Sequence, residues 1–336
     1  MIKNNKTLPV ILLTGFTLLL AAGCLNNEWE ESQNHEQDMI QNYLLENNIP
    51  EESKTAGGIY FVEQDTGYGL APMKDDYIVI NYVGRRIEDN SIHETTYDSL
   101  RDEWPAARSY TYYVYGPVKF VFGYSISGLN EGISMMNEGG KATMVIPSDK
   151  AFYDFIPYVY DIELIKVIKD PVEYEDSVLL AYLTEKGFDD ETTKLKDKNV
   201  WFRETVTPDP GDQRTVENND TVLLRFNGRL VDGFGSELMD SRIFDSNTDD
   251  ANPLKLVFSS TNPKLVSGSI LALPNGLVAA IDTMRLGTQA TAVLKYDEAF
   301  EDNGLYSTQH GYIIVPKYQT VVYDIVVEDI RPSARK

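Results

Sequence analysis

The chain has 336 residues, of which 42% are hydrophobic and 24% charged, a balance typical of soluble globular proteins with room for two domains. Its 52 acidic and 30 basic side chains give a formal net charge of −22. A surface this acidic repels phosphate backbones and anionic headgroups, which argues against nucleic acid as a partner. Because the sequence contains 1 cysteine, Cys24, it has no internal disulfide.

The N-terminus has the layout of a secretion signal. Lysines precede an apolar run from Leu8 to Ala22, which is short for a membrane-spanning helix and is followed by polar residues. The residues Leu-Ala-Ala-Gly before Cys24 resemble the lipobox of bacterial lipoproteins, which implies cleavage before this cysteine and its acylation. Leu25 follows the cysteine where an inner-membrane retention signal would place Asp, which favours the outer membrane. The acidic NNEWEE resembles the surface-export signals of Bacteroidetes lipoproteins. The alternative is a conventionally cleaved signal peptide.

The first half of the mature chain begins with a polar segment, residues 26–37, which is predicted to be a tether. The sequence DMIQNYLLENNIP then shows helical spacing of apolar residues and predicts a short lead-in helix. Alternating β-branched and aromatic residues predict strands at GGIYFVEQ, YIVINYVGRRI, VKFVFG, KATMVIP and YVYDIELIKV. Before the fourth strand, Leu129, Ile133 and Met136 share one face of a predicted helix that packs on the sheet.

The second half of the chain repeats this order. YVYDIEL at 158–164 returns as VVYDIVV, 163 positions later. The lead-in helix EDSVLLAYLTEKGF precedes predicted strands NVWFRETV, TVLLRFNGRL, LKLVFSS, QATAVLKY and VVYDIVVEDI, with the helix GLVAAIDTMRLG again before the fourth. About 15 additional residues, EDNGLYSTQHGYIIVP, precede the last strand of this half. The repeat predicts two tandem α+β domains, each built on an antiparallel sheet.

The predicted domain boundary lies in KDPVEYED, where Pro171 interrupts the chain and charges cluster. We divide the chain into a signal peptide (1–23), a tether with lead-in helix (24–56), a first domain (57–170), a linker with lead-in helix (171–197) and a second domain (198–336).

Common catalytic motifs are absent from the sequence. His35, His93 and His310 lie in polar contexts without metal-ligand spacing and are interpreted as loop residues. GYSISG has its second glycine one place too far along for a nucleophile elbow, and GGKAT lacks the earlier glycine of a phosphate-binding loop. We therefore predict no metal and no cofactor.

An aromatic residue followed by Asp recurs in both halves, as Tyr97 with Asp98 and Phe244 with Asp245. One such pair alone is a turn signal. Here each pair follows a strand that ends in aromatic-x-Gly and precedes Pro-x-Lys, the helix and a closing Val-aromatic-Asp strand. In this order the motifs resemble the FKBP-type peptidyl-prolyl cis-trans isomerases, over 57–168 and more loosely over 198–331. The resemblance implies two tandem FKBP-like domains, each an antiparallel sheet curled around one helix with an apolar pocket between them.

The resemblance also assigns residues to both pockets. In the first domain the implied catalytic pocket is lined by Tyr82, Tyr97, Asp98, Val118, Ile126, Leu129, Phe152 and Tyr160. In the second domain the implied substrate-binding positions are Phe226, Phe244, Asp245, Leu254, Pro274, Leu277, Phe300, Ile314 and Tyr323. Asp98 is expected to be the charged wall, with the hydroxyls of Tyr82 and Tyr160 as its partners. The sequence leaves open that Tyr160 and Tyr323 belong to the core instead.

Several residues depart from the family pattern. Leu129 and Leu277 stand where the family often has Trp, and Phe226 lacks the hydroxyl of Tyr82. The loop before the last strand of the first domain is cut to YDFIPY, which removes contacts that the family uses to cover substrate. We expect the first domain, with its more polar pocket, to be active, and the second, with its long loop, to bind clients.

The function implied by the resemblance is prolyl isomerisation of proline-containing or unfolded polypeptide segments by a protein that a lipid holds on the bacterial envelope. An alternative is a non-catalytic FKBP-like module that grips unfolded segments or a partner complex. A third reading, a glycan-binding surface lipoprotein, would require exposed tryptophan, and the chain has only Trp29, Trp104 and Trp201.

Overall fold

The computed structural model describes residues 9–104, 113–189, 191–206, 211, 214–233, 239–308 and 311–333, without the side chains of 9–27 and Met239. The side chain of Cys24 and all of His310 therefore lie outside the described residues. The helices are α1 (Pro9–Glu46), α2 (Ser127–Ile133), α3 (Pro171–Lys186) and α4 (Asn275–Asp282). The strands are β1 (Tyr60–Asp65), β2 (Tyr77–Arg86), β3 (Ile92–Thr95), β4 (Val118–Val121), β5 (Lys141–Ile146), β6 (Tyr158–Ile168), β7 (Val200–Val206), β8 (Thr221–Asp232), β9 (Met239–Ser246), β10 (Leu254–Val257), β11 (Lys264–Ser267), β12 (Gln289–Leu294), β13 (Leu305–Tyr306), β14 (Ile313–Val315) and β15 (Val321–Arg331).

The strands form two antiparallel sheets of the same topology, which confirms the predicted tandem α+β architecture. The first sheet has the order β1-β5-β6-β2-β3, with β4 paired to the start of β2. In the second sheet β7, β12, β15, β8 and β9 take the same places, and β10 pairs with β8 as β4 pairs with β2. The second sheet adds the edge strand β11, and β13 pairs with β14 in a separate hairpin before β15.

One face of each sheet packs on its short helix. In the first sheet Leu129, Ile133 and Met136 of this helix region are buried, as the spacing predicts. Close approach needs glycine, because a Cβ on Gly132 would lie 2.3 Å from the Met144 sulfur. In the second sheet Leu277, Ile281 and Met284 are buried in the same way. Each buried aliphatic side chain contributes roughly 1.5–3 kcal/mol, so the two helices are fixed to their sheets.

The opposite face of each sheet packs on a lead-in helix. Ile40 and Leu44 at the end of α1 join a buried cluster with Tyr60, Val145 and Val159 of the first sheet. In the second sheet the corresponding cluster joins α3 to four strands and comprises Val178, Leu179, Tyr182, Leu183, Phe188, Trp201, Val231, Val293 and Val322. Asp170 caps α3 by accepting hydrogen bonds from the backbone N–H groups of residues 172 and 173, and Pro171 stands in the first turn. Pro171 thus starts a helix where the sequence suggested only an interruption.

The expectation of a flexible tether at residues 26–37 is wrong for the described backbone, which is helical from Pro9 to Glu46. This segment contains Glu, Gln and Ser but neither Gly nor Pro, so nothing in it breaks a helix. Its end is also held on the first domain, because the buried Glu36 carboxylate accepts hydrogen bonds from the Ser148 N–H at 2.6 Å and the Ser148 hydroxyl at 2.8 Å. The chain therefore enters the fold before the predicted lead-in helix.

Strands β3, β9, β11, β13 and β14 are missing from the sequence prediction. Their sequences are short or carry polar residues at both alternating faces, so neither period nor length identifies them. Among the described residues no helix has an apolar stretch long enough to cross a bilayer. Trp29 is exposed, whereas Trp104 and Trp201 are buried, so two of the three tryptophans are not available to a glycan-binding surface.

Candidate functional site

The first domain contains an open pocket between its sheet and α2. The cavity has a volume of about 700 Å³, within the roughly 300–1,000 Å³ typical of small-molecule sites. Its floor and walls include Ile80, Tyr82, Val118, Phe120 and Leu129. The lining is therefore mainly apolar and aromatic, with a few polar groups placed among the rings.

A carboxylate and two tyrosines form the polar part of this site. The Tyr82 hydroxyl donates to one oxygen of Glu94 at 3.1 Å, and the Tyr160 hydroxyl donates to the other at 3.0 Å. The two rings lie 6.1 Å apart at a tilted angle. Tyr160 lies beneath the pocket and is fully buried, so it supports the site from below. Glu94 thus fixes the orientation of both tyrosines.

The aromatic-x-Gly motif has a physical explanation in this arrangement. A Cβ on Gly84 would lie 2.5 Å from the ring of Tyr160, so only glycine leaves space for that ring across the sheet. In the second sheet a Cβ on Gly228 would lie 2.9 Å from Phe244 and from Tyr323. Each glycine therefore leaves space for the aromatic ring of the closing strand that lies opposite it.

Both pocket tyrosines remain neutral hydrogen-bond donors near neutral pH. Burial, with the adjacent Glu94 carboxylate, raises the pKa of Tyr82 well above its usual value. The same two causes raise the pKa of Tyr160. An ionised tyrosine next to Glu94 would bring two negative charges together at a buried position, so the hydroxyl form is favoured over the whole physiological range.

The expectation that Asp98 is the charged wall of this pocket is wrong. Asp98 begins a short 3-10 helix, its side chain is 66% exposed, and it pairs with Arg101. Tyr97 lies beside it and lines a different cavity, of about 520 Å³, that also contacts Arg242 of the second domain. Neither side chain lines the pocket that holds Tyr82.

The sheet register shows why the sequence alignment of the two halves failed here. Glu94 is opposite Gly84 in the first sheet, and Asp245 is opposite Gly228 in the second. The following residues agree, because the Tyr82 N–H donates to the Thr96 hydroxyl as the Phe226 N–H donates to the Asn247 amide oxygen. The counterpart of Asp245 is therefore Glu94, four positions before Asp98.

The other predicted residues of the first domain are divided by the structure. Leu129 and Val118 line the pocket, and Ile126 packs against the same core at its edge. Phe152 is 41% exposed and contacts the rings of His93 and Tyr158 away from the pocket. His93, interpreted above as a loop residue, lies in β3 and is half-buried.

The predicted residues of the second domain are brought together but mostly as packed core. Phe226, Phe244, Leu277 and Tyr323 are all buried in one cluster. Its buried members also include Leu254 and Ile314, while Phe300 packs against its edge. Pro274 precedes α4 and is buried. These side chains contact one another where the first domain leaves space around Tyr82.

Asp245 is the buried carboxylate of this second cluster. It accepts a hydrogen bond from the Leu271 N–H at 2.7 Å. Desolvation by burial raises the pKa of Asp245 to about 6. With Phe226 in place of a tyrosine, the hydroxyl partner that Glu94 has in the first domain is absent here. The described residues contain no cluster of His, Cys, Asp or Glu suited to hold a metal ion.

Comparisons with known proteins agree with the motif order. A family model described as FKBP-type peptidyl-prolyl cis-trans isomerase matches residues 212–328. The probable FKBP-type peptidyl-prolyl cis-trans isomerase FkpA of Neisseria meningitidis serogroup B is 30% identical over 135 residues, which cover 37% of this chain and 44% of that relative. The chain thus spans less than half the length of this relative.

Solved structures with the same kind of name align at low TM-scores. FkpA from Escherichia coli has 20% identity and a TM-score of 0.34, and the alignment covers 50% of this chain and 75% of that one. A peptidyl-prolyl cis-trans isomerase from Pseudomonas syringae pv. tomato has 25% identity and a TM-score of 0.32, covering 41% and 95%. No conclusion about this chain follows from scores this low. The chain is therefore similar to the FKBP-type peptidyl-prolyl cis-trans isomerases over residues 212–328, which lie in its second domain.

Proposed function

We propose that the protein is a prolyl isomerase that assists polypeptide folding, and that the pocket of the first domain is its active site. The observation that carries the proposal is the network of Tyr82, Glu94 and Tyr160 within an apolar cavity of about 700 Å³. The second domain carries the family match, but its equivalent side chains are packed against one another. The open pocket is therefore the better place for a substrate.

Such a pocket accelerates isomerisation without a covalent step. Rotation about an X-Pro bond breaks amide resonance and meets a barrier of about 18–20 kcal/mol. The twisted amide has less charge separation than the planar one, so it loses less on leaving water. A dry site walled by Ile80, Val118, Phe120 and Leu129 therefore stabilises the twisted form relative to the planar substrate.

The polar network would hold the substrate in the orientation that this differential stabilisation needs. Tyr82 and Glu94 both line the cavity, whereas Tyr160 lies beneath them. Because the Glu94 carboxylate accepts from two hydroxyls, the Tyr82 ring cannot turn without losing a hydrogen bond. Tyr82 is the wall against which a prolyl ring would pack, and Glu94 is the positioning residue that keeps it there.

The test compares two carboxylate variants in the full chain carrying Cys24→Ser. Isomerisation of a blocked Ala-Leu-Pro-Phe peptide is measured by exchange NMR. Glu94→Gln keeps the shape of the side chain but removes the acceptor from one tyrosine, so we expect the rate constant to fall about tenfold. Asp98→Ala is the matched control and should leave the rate unchanged, because that carboxylate faces solvent. An equal loss in both variants would show that the assignment of Glu94 is wrong.

A non-catalytic binding function is the second candidate. It is favoured by one observation, the burial of Phe226, Phe244 and Leu277 together in the core cluster of the second domain. A folded chain that binds the peptide but does not change its isomerisation rate would support this candidate. The domain division at 57–170 and 198–336 is part of both proposals.

We further propose that Cys24 is acylated and holds the protein on the bacterial envelope, at the outer membrane. The support is the Leu-Ala-Ala-Gly sequence directly before this cysteine. Acyl chains contribute about 0.8 kcal/mol per buried methylene, so several of them anchor a protein without a spanning helix. Incorporation of labelled fatty acid into the native chain, and its loss in Cys24→Ser, is the expected result. Equal labelling of both chains would contradict the proposal.

A further inference from the structure

The two domains differ most in the loop before their last strands. In the first domain residues 147–157 make this connection and do not cover the pocket. In the second domain the connection is longer and contains the hairpin of β13 and β14. If the pocket of the first domain is covered, the cover must therefore come from a segment other than residues 147–157.

The hairpin of the second domain lies over the pocket of the first. Tyr306, Tyr312 and Ile313 line the same cavity as Tyr82 and Leu129. The ring of Tyr312 contacts the ring of Tyr113 with centroids 5.4 Å apart and an edge-on geometry. Each domain thus supplies aromatic side chains to one cavity.

The hairpin is held by the core of its own domain, so it is not a loose flap. Ile314 and Val315 are buried in the second core. Gly304 has φ +69°, and a Cβ there would lie 2.6 Å from the Val315 carbonyl oxygen. The strands pair through Leu305 with Val315 and Tyr306 with Ile313. Tyr306 and Ile313 are therefore presented to the cavity from a fixed support.

A buried ion pair fixes this support against the first domain. Lys119 in β4 and Glu175 in α3 form a salt bridge in which both side chains are 2% exposed. Lys119 also donates to the Tyr318 carbonyl at 3.1 Å, and the Thr320 N–H donates to Glu175 at 3.1 Å. We call Lys119, Glu175, Tyr318 and Thr320 the latch. On either side of Lys119 along β4, Val118 and Phe120 line the cavity, so the latch and the pocket share one strand.

We propose that the substrate site is a composite one, in which the second domain's hairpin covers the prolyl segment held by the first domain. This rests on the proposed function of the first pocket. The occupant is a prolyl residue with apolar or aromatic neighbours, because Tyr82, Tyr113, Tyr306 and Tyr312 surround it. The second domain then acts as a binding wall for the first site, and its own side chains need not catalyse.

The experiment uses the full chain carrying Cys24→Ser and the blocked Ala-Leu-Pro-Phe peptide. Binding is followed by the amide NMR signals of Gly116 in the first domain and Gly311 in the second, both of which line the cavity. The test variant is Tyr306→Ala with Ile313→Ala, a cross-strand pair that lies outside the buried core cluster. The control is Leu265→Ala with Val266→Ala on the exposed strand β11.

A composite site predicts that both amide signals shift on titration. The Tyr306 and Ile313 double variant should bind about tenfold more weakly, and the control variant should bind as the unchanged chain does. A shift at Gly116 alone, with equal binding by all three chains, would overturn the composite site and leave the proposed function standing. Faster isomerisation or tighter binding by the hairpin variant would also overturn it, because the hairpin would then obstruct the pocket. Absence of both binding and isomerisation in the unchanged chain would overturn the proposed function and this inference together.

Discussion

Replacing Glu175 by Gln should destabilise the protein more than any other single change in the latch. The variant keeps the side-chain volume but leaves the Lys119 ammonium, which is 2% exposed, without its counter-ion. Removing one partner of a buried ion pair costs about 3–5 kcal/mol. This is a large share of the roughly 5–15 kcal/mol that stabilises a typical domain. Urea unfolding followed by the fluorescence of the buried Trp104 and Trp201 measures the loss in each domain.

Removing both charges tests whether the unpaired Lys119 ammonium causes this loss of stability. In Lys119→Met with Glu175→Leu, the Tyr318 carbonyl and the Thr320 N–H lose their partners, at about 1–3 kcal/mol for each buried group. Apolar packing recovers about 1–4 kcal/mol of this, so the double variant should be more stable than Glu175→Gln alone. Glu173→Gln, on the exposed face of α3, is the control and should change stability little. If Glu175→Gln lowers the free energy of unfolding by less than about 1 kcal/mol, or if the double variant is the less stable one, the unpaired charge of Lys119 is not the cause of the destabilisation.

Three further predictions concern single sites. Burial raises the pKa of Asp245 to about 6 from its ordinary value of 3.8, so folding favours the protonated carboxyl group. The stability that the folded protein gains from this preference, up to about 3 kcal/mol, is complete below about pH 4 and is lost as the pH rises to 6. Asp245→Asn should therefore stabilise the second domain at pH 8 and not at pH 4, as measured by hydrogen exchange of the β12 amides. An equal effect at both pH values would show that burial of the ionised carboxylate is not the cause. Gly84→Ala should displace the Tyr160 ring, lower the free energy of unfolding by about 1–3 kcal/mol and reduce isomerase activity. If this variant has normal activity and stability, the ring has space to move. Glu36→Ala should release α1 from Ser148 and make residues 28–46 sensitive to protease. Glu46→Ala, at an exposed position of the same helix, should not change this sensitivity. Equal resistance of the two variants to protease would show that Glu36 does not hold the helix.

The position of the pocket carboxylate shows why sequence comparison of the two halves was insufficient. Tyr97 with Asp98 matches Phe244 with Asp245 in letters, but the hydrogen-bonded register matches Glu94 with Asp245. The β2 to β3 connection is shorter than its counterpart, and a similar Asp follows by chance four residues later. Register depends on which N–H meets which carbonyl across the sheet, and the letters of a single strand do not contain that information.

The sequence determined the duplicated α+β architecture, the core helices and most strands, because periodic burial and the aromatic-x-Gly motif are local properties of the chain. The family resemblance that those motifs carry also assigned Tyr82 and Leu129 to the pocket, and both line the cavity. Only the tertiary structure placed Glu94 under Tyr82, packed the second domain's aromatic residues into a core, and set Tyr306 over the first pocket. These facts depend on contacts between residues far apart in the chain, which are decided by how whole sheets and domains pack and not by the preference of any short segment.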